Sequence, residues 1–291
     1  MKVVITIPAY NEAKTIGHVI KDIKDVMAKE RYNYKLLVVN DGSTDQTESL
    51  AKQAGAFVFS HFTNRGLAEA FRTEIKKSLK MGADIIVHTD ADGQYQAKDI
   101  PRLIHEVEKG YDLVLGDRFA GGIEKMPLLK KIGNRAFSRA ISKILKYKIN
   151  DCQTGFRAFN RKVASLDIIS NHTYTQEQIL RAVTEDFKVK EIPTYFSARE
   201  GKSKLIKNPF GYAFKAWINI LRVQRDYNPI KFFGSIGGSF IITGLLLGLW
   251  LTMLFFKTGK VGHLPSTVLC ILLIISGLQI LFFGFLADMK K

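Results

Sequence analysis

Two long stretches near the C-terminus carry no fixed charge. Phe232 to Phe256 contains no charged side chain, and Val261 to Ala287 contains none apart from the titratable His263. A helix crosses the hydrocarbon of a bilayer in about 20 apolar residues, and core helices of soluble proteins rarely run so far without a charge. The link Lys257-Thr-Gly-Lys-Val-Gly-His263 is short. The pair therefore predicts a two-helix transmembrane hairpin within residues 232–291, spanning about 232–256 and 264–287, with both ends on one side. Everything else must be built from the first 231 residues.

All the lysines and arginines except Lys257, Lys260, Lys290 and Lys291 lie in those 231 residues, and Arg222, Arg225 and Lys231 crowd the approach to the first span. Positive charge marks the cytoplasmic side of a membrane helix. The large N-terminal part is therefore expected in the cytoplasm, on a multi-pass protein of the cell membrane. Met1-Lys2 leads straight into a strand-like run, so no secretory leader is expected. The formal net charge of +16 suits a domain held at an anionic leaflet and acting on an anionic substrate. No nucleic-acid motif accompanies the charge, and nucleic acid is not an expected partner. Cys152 falls in the soluble part and Cys270 in a span, so no disulfide is expected. In the first span, Gly234-x-x-x-Gly238 and Gly244-x-x-x-Gly248 permit close helix packing, and self-association through the membrane helices is expected.

Upstream, strand alternates with helix. Val3 to Ile7 and Leu36 to Val39 read as buried strands; Ala13 to Met27 and Leu67 to Met81 carry helical spacing of apolar residues. That alternation predicts a parallel sheet with helices on both faces. The first strand is not followed by Gly-x-Gly-x-x-Gly, and Gly201-Lys202-Ser203 lacks the upstream glycine of a phosphate loop because Phe196 stands there.

What the strands deliver instead is acid. Glu12 follows the first strand, Asp41 the second, and Asp90 and Asp92 the buried run Ile85-Ile86-Val87. In open α/β sheets the carboxyl edge is where ligands bind. Two carboxylates and the Gln94 amide are hard oxygen donors, suited to Mg²⁺ or Mn²⁺ held jointly with substrate phosphates. A metal–diphosphate site is the expectation.

The motifs Pro8-Ala-Tyr-Asn-Glu12, Asn40-Asp-Gly-Ser-Thr-Asp45, Asn64-Arg-Gly66, Asp90-Ala-Asp-Gly-Gln94 and Gly116-Asp-Arg118, in this order, resemble those of the inverting family 2 glycosyltransferases with the GT-A fold. Asp151-Cys-Gln-Thr-Gly-Phe-Arg157, Arg199-Glu-Gly-Lys-Ser-Lys204 and the C-terminal hairpin narrow the likeness to dolichol-phosphate mannose synthases and polyprenyl-phosphate hexose synthases. The resemblance implies a GT-A domain over 1–206, an amphipathic interfacial helix over 207–231 and the hairpin beyond. It implies that Pro8, Tyr10, Glu12, Val39 and Asp41 hold the base and ribose of a nucleotide sugar, and that Asp90, Ala91 and Asp92 face its ribose and diphosphate. Asp92 and Gln94 would ligate Mg²⁺ or Mn²⁺. Arg118, Arg135 and Ser138 would bind the acceptor phosphate, and Arg199, Ser203 and Lys204 would close over the diphosphate. Asp92, Arg118, Arg135 and Lys204 would be the catalytic set. Asn40 stands where the family often has aspartate, and Gly93 where it often has leucine.

The implied reaction moves one hexose from GDP-mannose or a UDP-hexose to dolichyl or polyprenyl phosphate. A sugar hydroxyl acceptor needs a general base; a lipid phosphate is already mostly dianionic at pH 7 and needs orienting cations instead. Processive relatives carry an aspartate base followed by Gln-x-x-Arg-Trp. Here Gln178-Ile-Leu-Arg181 is followed by alanine, and Glu185-Asp186 comes after it, in what reads as an exposed helix face. Glu177 is the one base candidate for a rival reading, transfer to a sugar hydroxyl of a glycolipid. A second rival is an inactive GT-A domain serving as a membrane partner.

Overall fold

The computed structural model describes residues 1–169, 174–198, 218, 221, 222, 224–226, 228–260 and 264–289. It forms two compact units, Met1–Ala213 and Phe214–Lys291. The expected interfacial helix over 207–231 falls mostly outside the described residues.

In the first unit, β1 (Lys2–Ala9), β2 (Asn33–Asn40), β3 (Phe57–Ser60), β4 (Ile85–His88), β5 (Leu113–Asp117), β6 (Arg157–Asn160) and β7 (Val189–Pro193) form one sheet in the order β3-β2-β1-β4-β6-β5-β7. Only β6 runs against the rest, pairing antiparallel with both β4 and β5. The carboxyl ends of β1, β2, β4 and β5 therefore share one edge, and the chain enters β6 from that same edge.

The strands are apolar on both faces, as a covered parallel sheet requires. On one face Val3, Ile5 and Ile7 pack with Ile16, Ile20, Ile23 and Met27 of the Ile16–Met27 helix and with Leu103, Ile104 and Val107 of the Ile100–Glu108 helix. Spacings of three and four place each helical set on one stripe, and each fully buried side chain of this kind contributes about 1.5–3 kcal/mol. The opposite face is different. There Thr6 and His88 meet Phe71 and Glu74 of the Leu67–Lys80 helix, a polar layer inside the core.

Two sequence expectations need correcting. The first helix begins at Ile16, not Ala13: Thr15 and Ile16 both donate their N–H to the Glu12 carbonyl, which closes a turn first. The Gln178 segment is not an exposed face. Within the Tyr174–Thr184 helix Gln178 is wholly buried because Arg157 of β6 donates to its Oε1 at 3.1 Å. Glu185 and Asp186 lie beyond that helix's end.

In the second unit, the helices Pro229–Thr258 and Leu264–Asp288 are long and apolar enough to cross a bilayer. They pack on glycines spaced by seven. A Cβ on Gly237 would stand 2.7 Å from the Gly277 carbonyl, one on Gly244 2.7 Å from Ile274, and one on Gly284 2.9 Å from Phe233. Gly244 and Gly248 of the expected motifs thus serve a contact within the chain, whereas Gly234 and Gly238 have nothing within 4 Å.

Candidate active site at the carboxyl edge of the sheet

The loops after β1 and β2 are stitched together by short polar side chains. Asn11, at φ +54°, accepts from the Thr44 N–H at 2.8 Å and donates its own N–H to Ser43 Oγ at 2.9 Å. Glu12 N–H donates to Thr47 Oγ1, and Ala13 N–H to Asp45. Asp41 is buried. Its Oδ1 accepts from Arg65 N–H at 2.9 Å and faces His61 Nδ1 at 2.7 Å, while Oδ2 accepts from Gly66 N–H at 2.8 Å. Asp41 therefore fixes the Asn64-Arg65-Gly66 turn that opens the Leu67–Lys80 helix. Pro8, Val39 and Ala91 are buried backbone supports, and Tyr10 is exposed at the mouth of the same edge.

After β4 the chain turns through Asp90, Asp92 and Gln94. Asp92 Oδ1 accepts from Gln94 N–H at 3.1 Å, and Gln94 Nε2 donates to the Ser197 carbonyl at 3.0 Å, which leaves the amide oxygen of Gln94 as its acceptor. Tyr95 stacks on Phe156, with ring centroids 5.0 Å apart, and anchors the turn. Asp90 lies against Gly155, where a Cβ would stand 3.1 Å from Oδ1. Desolvation in this cleft, then the neighbouring Asp92 carboxylate, push the Asp90 carboxyl up to about 6, against the opposing pull of His88 and Arg118.

The cations expected for an acceptor phosphate divide between two places. Arg118, at the carboxyl end of β5, is buried and held by Asp151 on the way into β6: Nε to Oδ2 at 2.6 Å and Nη2 to Oδ1 at 2.8 Å. Its guanidinium sits 5.1 Å above the Phe196 ring. Arg135 instead lines a cavity of about 440 Å³ with Arg139, Lys148, Asn150 and Ser142, in which Arg118 takes no part. Ser138 also borders it, but its hydroxyl accepts from Cys152 N–H at 3.1 Å and faces Cys152 Sγ at 3.3 Å, holding the segment that carries Asp151. Asp117 closes the cavity floor, capping Phe119 and Ala120 N–H and accepting from Asn150.

Arg199, Ser203 and Lys204 lie outside the described residues. The chain leading to them is tied to the acidic turn, Ser197 N–H donating to the Gln94 carbonyl at 2.8 Å. Glu177 is half of an ion pair with Arg181 at 3.0 Å and accepts from Ile169 N–H. Sequence reasoning missed the pairing of Asp151 with Arg118 and the polar layer of Glu74 and His88. The first needed the antiparallel insertion of β6; the second was signalled only by a histidine ending an otherwise apolar strand.

Among the described residues no three His, Cys, Asp or Glu side chains form a metal cage. Asp92 and Gln94 place a carboxylate and an amide oxygen two residues apart on one turn. That donor set fits a hard cation whose remaining positions belong to substrate phosphates.

The sequence profile described as glycosyl transferase family 2 matches residues 4–166. The chain is 31% identical over 291 residues to the glycosyltransferase AglJ of Haloferax volcanii, covering 99% of this chain and 93% of that protein. It is 31% identical to a dolichyl-phosphate hexose transferase of the same organism, covering 71% of this chain and 86% of that one. Among solved structures, glucosyl-3-phosphoglycerate synthase of Mycobacterium tuberculosis, in complex with Mn²⁺, UDP-glucose and phosphoglyceric acid, superposes with a TM-score of 0.60 at 20% identity, over 76% of this chain and 79% of that one. This last likeness speaks for the GT-A-like sheet and its helices. With the profile spanning more than half the chain and the full-length match to AglJ, the protein belongs to glycosyl transferase family 2, as a glycosyltransferase related to dolichyl-phosphate hexose transferases.

Proposed function

We propose that the enzyme transfers one hexose from a nucleotide diphosphate sugar to a polyprenyl or dolichyl phosphate, inverting the anomeric carbon in a single displacement at the cytoplasmic face of a membrane. The observation that carries this reading is that the carboxyl edge of the sheet bears both the acidic Asp90–Gln94 turn, after β4, and the buried Arg118, after β5, with Arg135, Arg139 and Lys148 lining a separate cavity beside Asp117. The relative named a dolichyl-phosphate hexose transferase supports the lipid acceptor. The Mn²⁺ and UDP-glucose held by the structural neighbour support a divalent cation and a nucleotide sugar.

The leaving diphosphate is highly anionic, and its departure is the step that needs help. Asp92 and Gln94 would hold the Mg²⁺ or Mn²⁺ that neutralises this charge. Asp90 would orient the donor. The acceptor phosphate is a nucleophile without any base; it needs cations for placement, and Arg135 with Arg139 and Lys148 supplies three on one cavity wall. Arg118, held in place by Asp151, would turn the cationic end of that pair toward Asp90. Glu177, occupied by Arg181 and the Ile169 N–H, is not needed as a base.

The test is the full chain in detergent with Mn²⁺ or Mg²⁺, a polyprenyl phosphate, and GDP-mannose, UDP-glucose and UDP-N-acetylglucosamine in turn. One donor is expected to give a polyprenyl-phosphate sugar of inverted configuration. No such product from any donor refutes the reading. Transfer to a glycolipid hydroxyl that disappears in Glu177→Gln would put the sugar-acceptor reaction in its place.

A further inference from the structure

The last residue of β4 is a histidine with no exposure to solvent, two residues before Asp90. His88 Nδ1 lies 2.7 Å from Glu74 Oε2 of the Leu67–Lys80 helix. Glu74 is itself buried, and Thr6 of β1 donates to the same carboxylate oxygen at 3.2 Å. One carboxylate oxygen thus holds a hydroxyl and a ring together. Phe71 packs edge-on against the imidazole at 5.0 Å and Tyr174 at 6.3 Å, while Arg157 stands opposite His88 in the β4–β6 register. The ring is clamped, and its second nitrogen aims toward the cleft.

That nitrogen has no partner. His88 Nε2 is fully buried and makes no hydrogen bond, and Asp90 Oδ1 lies 4.0 Å from it. A buried polar atom without a partner is destabilising, so a fold that keeps one beside its binding cleft retains it against a cost. The roles of the ring follow from its neighbours. Nδ1 facing a carboxylate must donate. Nε2 faces a second carboxylate, and one proton shared between the two would join them. The distance lies just beyond hydrogen-bond reach, and a shift of under about 1 Å in the Asp90 side chain closes it.

We infer that His88, anchored by Glu74, is a positioning residue for Asp90: on binding of a nucleotide sugar, Nε2 and Asp90 Oδ1 close into a hydrogen bond that locks the Asp90 side chain in the orientation that receives the donor. The inference rests on the proposed reading of Asp90 as a ligand of the nucleotide sugar. Glu74 acts through His88 and touches no substrate. The arrangement places a clamped ring nitrogen beneath a carboxyl group that would otherwise choose among rotamers, and so reduces the ordering required on binding.

The test measures binding by the full chain in detergent with Mn²⁺ and GDP-mannose, UDP-glucose or UDP-N-acetylglucosamine. The wild type must bind one of the three; binding none overturns the proposed function and this inference together. Against that baseline, Glu74→Leu with His88→Phe removes both buried polar groups at once and leaves no orphan. This pair is expected to weaken binding about tenfold while circular dichroism stays unchanged. Asp90→Asn is expected to do the same, and the triple variant to be no weaker than Asp90→Asn alone, since residues acting as one unit are not additive. Wild-type affinity in the folded double variant overturns the inference, as does a triple variant whose losses multiply to about a hundredfold. If the double variant does not fold, Glu74→Gln replaces it in the same cycle. It keeps an acceptor for Nδ1–H without the charge and is expected to weaken binding about threefold, and unchanged affinity there overturns the inference equally.

Discussion

Along β1, β2 and β4 the edge loops are held by carboxylates, hydroxyls and amides that accept from backbone N–H groups: Asp41 on Arg65 and Gly66, Asp45 on Ala13, Asn11 on Thr44. Along β5, β6 and β7 they are held by charged side chains, with Arg118, Asp151 and Arg157 buried: Arg118 on Asp151, the half-buried Glu191 on the N–H of Asn150 and Asp151, Arg157 on carbonyls of Thr154 and Thr175. The first kind of fastening links the ends of neighbouring parallel strands. The second follows from inserting β6 the other way. A hydrogen bond to a charged group contributes about 1.5–3 kcal/mol, whereas breaking a buried ion pair by removing one partner costs about 3–5 kcal/mol. The first half is thus arranged for ligands, and the second is intolerant of single changes.

The strongest way to break this contrast is Asp92→Ala. Asp92 is half-buried and on the ligand side, so turnover should fall about a thousandfold or more while the melting temperature moves little. A rate near wild type would remove the metal assignment. A large loss of stability would erase the difference between the halves. Next comes Asp151→Ala, which leaves Arg118 buried and unpaired. A loss of about 3–5 kcal/mol is expected by denaturant unfolding of the full chain, and a loss below 1 kcal/mol would show that the pair is not what holds β6.

The same division governs what the sequence revealed. Runs such as Val3 to Ile7 and Ile85 to Val87 announced buried parallel strands, and the acids after them announced a ligand edge, because parallel strands put their carboxyl ends together without further information. Asp151 was visible within its motif, yet nothing local said that it would meet Arg118, since 33 residues and a reversed strand separate them. Ser138 looked like a free hydroxyl because its helix spacing does not show that Cys152 closes over it. The Gln178 face looked exposed because a buried arginine from β6 is what draws a polar helix inward.

A smaller effect sharpens the comparison on the ligand side. Gly42 adopts φ +69°, and a Cβ there would stand 2.5 Å from the backbone of Thr63 and Asn64. Gly42→Ala therefore combines an unfavourable backbone conformation with a clash that no side chain can relieve. About 2 kcal/mol or more should be lost in thermal or denaturant unfolding. Because the clash pushes on the turn that Asp41 fastens, nucleotide-sugar affinity should fall with it, and an unaltered affinity would mean that the turn is not part of the donor site.

The least effect belongs to an ion pair on the surface of the ion-held half, where burial is missing. Glu106, at the end of the Ile100–Glu108 helix, meets Lys190 of β7 at 2.7 Å and Lys109 at 2.9 Å. Hydrogen bonds from these two lysines, Lys190 first, hold its carboxyl down to about 2 from an ordinary value of 4.5. A depressed carboxyl stabilises the fold above the unfolded value and loses that contribution as pH falls through the folded one. The stabilisation from Glu106 is therefore complete above pH 4.5 and fades between pH 4.5 and 2. Lys109 and Lys190 are half to one-third exposed, so solvent screens the pair. Glu106→Gln should lower the melting temperature by about 2 °C or less at pH 7, and the difference from wild type should vanish by pH 2. A gap that persists at pH 2 would trace the effect to lost packing rather than charge; a shift as large as that of Asp151→Ala would show that burial is not what makes the ionic fastenings of this half strong.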